Sequence, residues 1–334
     1  MKKYIYLVLS VLCALCCTVC SCITEEAAAI SQIFGTRSET PVFLSGKAVS
    51  ETEIDFEFSL PVKVVSLHFS PALEIESIEE GSIVRVNFAK GPGPGERLTA
   101  DILVEDEAGN TMNVLIPLRT RNSRIPAMLI NELRTEYSKP KAEFIEFKIL
   151  EAGNLGALRV FIAGYNKNPL VYEFPPIEVG KGEYIVLHLR TVEETCRDEL
   201  GGNLNESGGT EASAARDIWI PGTVKLPHKT DAIYVLDQDD HVVDAVLLSE
   251  SADPWWNKDY LAEAAEFLSR QGAWKSADGR IPGPADAVNS GKTTNTRTIC
   301  RDETVADTNT AADWYITATS SATPGKLNNP KRFQ

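Results

Sequence analysis

The sequence predicts an all-β protein, with two β-sandwich domains in tandem after an N-terminal signal and a short tether. Three observations lead to this fold class. Apolar and polar residues alternate with a period of two in many short runs, as in half-buried strands. Turn-forming residues separate those runs. Helical spacing of apolar residues is predicted for one stretch, near 257–271, so strands make up most of the predicted structure. At 334 residues the chain is long enough for two domains.

Residues 1–21 predict a lipoprotein signal peptide. Two lysines precede an apolar run from Tyr4 to Thr18, which suits a signal and is too short to cross a bilayer comfortably. The small residue Ser21 then precedes Cys22. This junction resembles a loose bacterial lipobox, which implies acylation of Cys22, by palmitate among other chains, and a lipid anchor in the membrane. An ordinary secretory signal or an uncleaved anchor is the alternative, and either one also exports the chain.

The expected location is the cell envelope. A loose, cysteine-rich signal of this kind is common in spirochaete and Bacteroidetes-like lipoproteins, which implies an envelope with two membranes. Ile23 rather than aspartate follows Cys22, and by analogy with enterobacterial sorting this favours the outer membrane, on its periplasmic or its outer face. Residues 22–40 comprise the lipidated cysteine and a polar tether.

The charge of the chain narrows the classes of partner, and its cysteine content limits the possible disulfides. With 47 acidic and 33 basic residues the formal net charge is −14, which argues against nucleic acid and is compatible with cationic partners. Outside the signal and the anchor, Cys196 and Cys300 are the remaining cysteines. In an exported protein these two could form one disulfide, or they could be unrelated buried thiols.

Residues 41–122 form the first predicted domain. Its alternating runs are Ile54–Leu60, Val84–Phe88, Leu98–Val104 and Met112–Leu118, and Glu105–Thr111 is a turn between the last two. The runs Phe56–Val62 and Asp106–Asn110 resemble the "F-S-x-P-V" strand and the "D-x-A-G-N" hairpin of bacterial Ig-like domains. The resemblance implies an Ig-like β-sandwich that acts as a spacer.

Residues 127–334 form the second predicted domain, after the basic junction Arg119–Pro126. Its landmarks, in order, are Leu129–Glu132, Glu143–Phe147, Gly180–Leu187, Asp231–Asp237, His241–Val246, Asn295–Thr298, Asp313–Trp314 and Thr323–Asn328. Together they are similar to the lamin-tail domain, with its "I-N-E", "G-x-Y-x-V-L" and "T-P-G-x-x-N" motifs. Lys148-Ile149 replaces a Tyr-Asn turn of that family, and Asp240-His241 replaces its hairpin glycine. The likeness implies a second Ig-like sandwich and assigns no partner.

The sequence carries few signals of chemistry, and we expect a protein that is not an enzyme. No motif of a metalloprotease, a serine hydrolase or a phosphate-binding loop is present. The four histidines lack metal-ligand spacing, and Asp237–Asp239 is predicted to be a turn rather than a calcium loop. Glu143 and Glu146 are predicted to point to opposite faces, and Glu132 to be a structural carboxylate that caps a loop. No catalytic residue, metal or cofactor is predicted.

Tryptophans surround the predicted helix at 257–271. Trp255 and Trp256 precede it and Trp274 follows it, while Asn257 is a candidate N-cap and Gly272 a candidate stop. These tryptophans could form an aromatic platform that binds sugar or peptide. They could also fasten the helix to the sandwich, which is the commoner use of aromatic side chains and the favoured interpretation.

The predicted function is that of a membrane-anchored envelope lipoprotein acting as a non-catalytic structural or binding module. Its expected partners are the membrane, through the anchor, and a protein or glycan of the envelope. The alternative is a carbohydrate-binding or accessory subunit of a cell-surface hydrolase, which depends on the tryptophan cluster.

Overall fold

The computed structural model describes residues 40–163, 170–208, 214–222 and 227–334. Cys22, the predicted signal and nearly all of the predicted tether therefore lie outside the described residues. In the described part, strands dominate and one α-helix is present, which confirms the all-β fold class. No helix in those ranges is long and apolar enough to span a membrane.

The chain forms two compact units. The first contains the described residues up to Lys47, together with Asp55–Asn87 and Thr99–Ile116. The second contains Ala48–Ile54, Phe88–Leu98 and Pro117–Gln334. The predicted junction Arg119–Pro126 falls within the second unit.

Six strands make one sheet in the N-terminal half, in the order β3-β4-β2-β5-β6, with β1 paired to β2. Their bounds are β1 Phe43–Ala48, β2 Glu53–Ser70, β3 Ile75–Glu79, β4 Gly81–Phe88, β5 Arg97–Glu105 and β6 Thr111–Arg119. The alternating runs predicted from the sequence all lie in these strands. Their apolar members Phe56, Val84, Val86, Ala100 and Ile102 are fully buried.

The long strand β2 bends, so that its two halves contribute to the same core. The rings of Phe56 and Phe69 lie 6.4 Å apart, whereas an unbent strand would separate them by roughly 40 Å. The register with β5 shifts between Val64 and Ser66. One extra residue there reverses the alternation, so that residues an odd number of positions apart face the same side.

The predicted turn between β5 and β6 is present. Asp106 accepts hydrogen bonds on its side chain from the backbone N–H groups of Ala108 and Asn110, at 2.9 and 2.8 Å. Gly109 has a φ of 81°, a conformation that favours glycine. The turn is therefore closed by the side chain of its first residue.

Two sheets pack face to face in the second unit. One has the order β11-β10-β15-β16-β17 and the other β14-β13-β8-β7-β18-β19, and β9 pairs with β12. Apolar side chains of both sheets share one core, among them Ile130 and Phe147 from the six-stranded sheet and Val160 and Ile233 from the five-stranded sheet. The bounds are β7 Ala127–Arg134, β8 Phe144–Glu151, β9 Gly153–Asn154, β10 Arg159–Ile162, β11 Leu170–Glu173, β12 Glu178–Val179, β13 Tyr184–His188, β14 Arg216–Trp219, β15 Asp231–Leu236, β16 Val242–Ser249, β17 Val288–Asn289, β18 Ile299–Arg301 and β19 Trp314–Ile316.

Helix α1, Asp259–Arg270, lies on this core through Leu261, Ala264, Ala265 and Leu268, all buried. The predicted N-cap is wrong: Lys258 rather than Asn257 occupies the cap position, and no side chain caps the first turn. The predicted stop is confirmed. Gly272 has a φ of 72°, and the N–H of Ala273 bonds to the carbonyl of Leu268 across the helix end.

Candidate functional site

A row of polar residues crosses the six-stranded sheet. Glu146 on β8 lies opposite Glu132 on β7, and Glu132 lies opposite Cys300 on β18. All three side chains are fully buried. The row is made by residues far apart in sequence, so the strand order brings it together.

Hydrogen bonds satisfy the two carboxylates, and some of the donors belong to the C-terminal segment Thr323–Asn328. Glu132 accepts from the backbone N–H of Thr323 at 3.0 Å and from the Thr298 hydroxyl. Glu146 accepts from the backbone N–H of Gly325 at 2.5 Å and from the side chain of Asn131 at 2.8 Å. The expected role of Glu132 as a loop cap is thus found, and Glu146 has a similar role.

Burial changes the acidity of the whole row. Desolvation raises the pKa of Glu132 above its usual value, against the hydrogen bond from Thr298. It raises the pKa of Glu146 further, and the neighbouring charge of Glu132 adds to the effect. Burial also raises the pKa of the Cys300 thiol. A thiol with a raised pKa is a poor nucleophile, so this row lacks an activated cysteine.

Two further buried acids are held by arginines. Glu143 receives a bidentate pair from Arg190, at 2.5 and 2.6 Å, and so shares no partner with Glu146. Asp244 accepts from Arg301 at 2.7 Å, and burial raises the pKa of Asp244 to about 6 despite that cation. Each of these carboxylates is engaged inside the fold.

The disulfide considered between Cys196 and Cys300 is not formed, since both thiols are free in this structure. The sulfur of Cys300 lies 3.8 Å from the Thr298 hydroxyl, beneath the C-terminal segment. Cys196 lies in the loop after β13 and is only partly buried. An amino-acid sequence contains no distance between two cysteines, and that distance decides whether they can pair.

Asp237, Asp239 and His241 come close enough together to form a metal-ligand group. The same three residues form the predicted turn between β15 and β16, and hydrogen bonds within that turn account for their positions. One oxygen of Asp237 accepts from the backbone N–H groups of Asp239 and His241, at 2.8 and 3.0 Å, and Asp239 pairs with Arg121. Internal donors therefore occupy the acceptors that a cation would need.

The three tryptophans differ in environment. Trp274 is buried and donates to the Asp286 carbonyl at 3.1 Å. Trp256 is partly buried, packs against the core and donates to the Pro282 carbonyl at 2.9 Å. Trp255 is 79% exposed. The favoured interpretation, that the tryptophans fasten the helix, fits Trp256 and Trp274 and is wrong for Trp255, because its side chain has turned away from the core.

A groove of about 690 Å³ runs between α1 and the five-stranded sheet, within the volume range of small-ligand sites. Tyr234 forms part of its floor. The ring of Tyr234 stacks on Phe161 at 5.2 Å and approaches Phe267 of α1 at 5.9 Å. Among the described residues, the lining is Ala163, Tyr234, Lys258, Asp259, Tyr260, Glu263, Ala264 and Phe267.

The charge around this helix groove is mainly negative. Asp259 and Glu263, four residues apart on one face of α1, line it, and Lys258 is the one cation among the described lining residues. Burial raises the pKa of Tyr260, and the charge of Asp231 raises it further. The phenol therefore stays neutral at physiological pH. Aromatic rings beside carboxylates can hold an organic cation, through cation–π contact and ion pairing.

Residues 126–316, more than half of the chain, match a family described as the TP_1001 protein second domain. The chain belongs to this family. A protein of Treponema pallidum (strain Nichols), described as an uncharacterized protein, is 27% identical over 277 residues, which cover 75% of this chain and 69% of the relative.

The TP_1001 second-domain segment contains α1 and the whole lining of the helix groove. Thr323, Gly325 and Asn328, which close over the buried carboxylates, lie after its end. Sequence reasoning missed Tyr234, Glu263 and Phe267 as groove residues. The signal available for Phe267 was its place beside the apolar stripe of the helix. That signal does not indicate which strand the ring will meet.

Proposed function

We propose that this protein is an exported lipoprotein, anchored through Cys22, whose second domain is a non-catalytic binding module. The helix groove carries the proposal, because it combines an aromatic floor, an acidic rim and a volume of about 690 Å³. The described buried acids Glu132, Glu143, Glu146 and Asp244 support a framework role, since all four accept hydrogen bonds from inside the domain.

The proposed ligand is a cationic side chain on an apolar segment of a partner protein. Asp259 and Glu263 give the rim a negative charge, and the net charge of −14 makes the chain attractive to basic partners. Tyr234 and Phe267 offer ring surface to the apolar part of the segment. A lysine or arginine beside an aromatic residue has both properties.

A pair of blocked dipeptides tests this assignment. Titration of the full chain with a phenylalanyl-lysine dipeptide should show binding, and the neutral phenylalanyl-glutamine dipeptide should bind more weakly. Glu263→Gln should lower the affinity for the lysine dipeptide about fivefold, since an exposed charge pair contributes up to about 1 kcal/mol. Glu266→Gln is the matched control, because Glu266 is on the same helix, pairs with Arg270 and does not line the groove. Equal affinity for both dipeptides would exclude the cationic ligand.

A second candidate is glycan binding through Trp255. An indole that is 79% exposed offers a flat apolar face, of the kind on which a sugar ring can stack. Trp255→Ala should then abolish retention on a glycan array and leave folding intact. Retention of the same glycans by that variant, or no retention by wild type, would reject the carbohydrate-binding alternative.

A further inference from the structure

A small cationic pocket of about 150 Å³ lies at the end of β7, away from the residues that line the helix groove. Arg134, the last residue of β7, and Lys141 provide two positive charges, and Thr296 and Ser320 provide two hydroxyls. Ala322 and Pro324 complete the lining. In a chain with a net charge of −14, a pocket whose described lining has two cations and no carboxylate is a distinctive local environment.

Arg134 is a built part of the pocket and not a surface side chain. It is 2% exposed, its guanidinium carbon lies 4.9 Å from the centre of the Phe144 ring, and Nη1 donates to the Ala142 carbonyl at 3.4 Å. A guanidinium withdrawn from water loses hydration free energy, and an anion beside it restores part of that loss. The charge of Arg134 also lowers the pKa of Glu132, so part of that loss is restored inside the fold. An anion in the pocket, beside Arg134 and Lys141, adds to that compensation.

Hydrogen bonds hold the other walls in place. The backbones of Ser138 and Lys141 bond to each other in both directions, at 3.0 and 2.7 Å. The N–H of Ser320 donates to the Thr296 carbonyl at 2.8 Å, which ties together the two segments that supply the hydroxyls. Thr323, beside the pocket, is fixed by Glu132. The donors are thus positioned before a ligand arrives, which reduces the entropy lost on binding.

The chemistry of the lining matches an oxyanion. Arginine and lysine both bind phosphate, and threonine and serine hydroxyls can donate to its remaining oxygens. A cavity of about 150 Å³ can hold benzene, so the five heavy atoms of phosphate fit. We propose that this pocket binds a phosphate group, either free inorganic phosphate or the phosphate of a larger ester.

Thermal unfolding and calorimetric titration of the full chain test the proposal. At constant ionic strength, inorganic phosphate should raise the melting temperature relative to chloride, because a ligand of the native state stabilises it by mass action. Lys141→Glu replaces an attraction with a repulsion and should weaken phosphate binding at least tenfold. Lys139→Glu is the matched control, two residues away and outside the lining, and should change the affinity less than twofold. Because Arg134→Ala can disturb folding, Ser320→Ala serves as the second pocket variant and should weaken binding severalfold.

Glycerol phosphate separates the two sources of the group. Tighter binding of glycerol phosphate than of inorganic phosphate assigns the pocket to a phosphate ester, such as a lipid headgroup. The reverse order assigns it to the free ion. A phosphate effect equal to that of chloride, or equal losses in Lys141→Glu and Lys139→Glu, would overturn the proposal.

Discussion

Glu132 and Glu146 lie directly opposite each other on neighbouring antiparallel strands, and both are fully buried. Like charges in opposed positions destabilise a sheet. The fold accommodates them because Thr298, Thr323, Asn131 and Gly325 donate to them, and because burial raises both pKa values and so favours the neutral forms. This pair makes stability depend on pH.

Glu146→Gln removes the titration and nearly keeps the side-chain shape. Since the pKa of Glu146 is raised on folding, the stability that the group contributes is present at low pH and is lost as pH rises through the folded pKa. We expect the free energy of unfolding of the variant to gain on that of wild type over the pH range above about 4, where an unfolded glutamate has lost its proton. Urea unfolding across this range measures the difference.

Glu178→Gln is the control with the opposite sign. The hydrogen bond from Arg124 lowers the pKa of Glu178, so its contribution is lost as pH falls. That variant should therefore lose stability relative to wild type as pH rises, by a small amount because Glu178 is exposed. If the free energies of unfolding of the two variants, each relative to wild type, changed in the same direction with pH, the effect assigned to burial would be contradicted.

Asp244→Ala should destabilise the second domain by about 3 kcal/mol, because it removes one of the two carboxylates that pair with the buried guanidinium of Arg301, Asp307 being the other, and takes the acceptor from the N–H of Ile130. Asp240→Asn breaks the pair with Arg159, in which the aspartate side chain is 71% exposed, and asparagine tolerates the φ of 62° at this position, so the change should cost less than about 1 kcal/mol. Denaturant unfolding of both variants compares a buried pair with an exposed one. Similar losses of unfolding free energy in the two variants would show that burial does not determine the cost of breaking an ion pair.

Single substitutions separate the tryptophans. Trp274→Ala removes a buried indole and should cost about 3–5 kcal/mol, which lowers the melting temperature by roughly 6–20 °C for a domain of this size. Trp255→Ala should change the free energy of unfolding by less than about 0.5 kcal/mol. Calorimetry of the two variants gives the comparison. A large loss for Trp255 would mean that it packs against a surface in solution.

Thiol labelling reports the state of the two cysteines. In the native protein without reductant, iodoacetamide should modify the partly exposed Cys196 and leave the buried Cys300 unmodified. After unfolding, still without reductant, both should be modified and detected by mass spectrometry. A linked Cys196–Cys300 peptide would contradict the free thiols.

Cys22→Ser tests the anchor. Metabolic labelling with a palmitate analogue should mark the wild-type protein and not the variant, and the variant should leave the membrane fraction. Ser21→Ala, which keeps the cysteine and a small residue before it, serves as the control for the junction. Equal labelling of wild type and Cys22→Ser would end the lipoprotein interpretation.

The alternation of apolar and polar residues was enough to predict β2, β4, β5 and β6, because a half-buried strand requires it. The bend of β2 was not predictable. Val64, Val65 and Ser66 carry no sign of a register shift, and its effect appears only when Phe56 and Phe69 meet. Short strands such as β9 and β12 are two residues long and have no period to detect.

Local motifs predicted the role of Glu132 but not its partner. The helix groove depends on Tyr234 meeting Phe267, and the cationic pocket depends on Arg134 meeting Ser320. Strand order and helix placement bring each of these pairs of residues together. A single sequence contains no distances between such residues, so it cannot indicate which side chains share a cavity.

The bond from Gly325 to Glu146 spans 179 residues, and the bond from Thr323 to Glu132 spans 191. Strands β7 and β8 therefore leave the ribosome long before the segment that covers their carboxylates. A domain with such non-local closure folds slowly for topological reasons. Until Thr323–Asn328 arrives, the nascent domain has two uncovered acids on a sheet face, so the closure of its core waits until nearly all of the domain has been made.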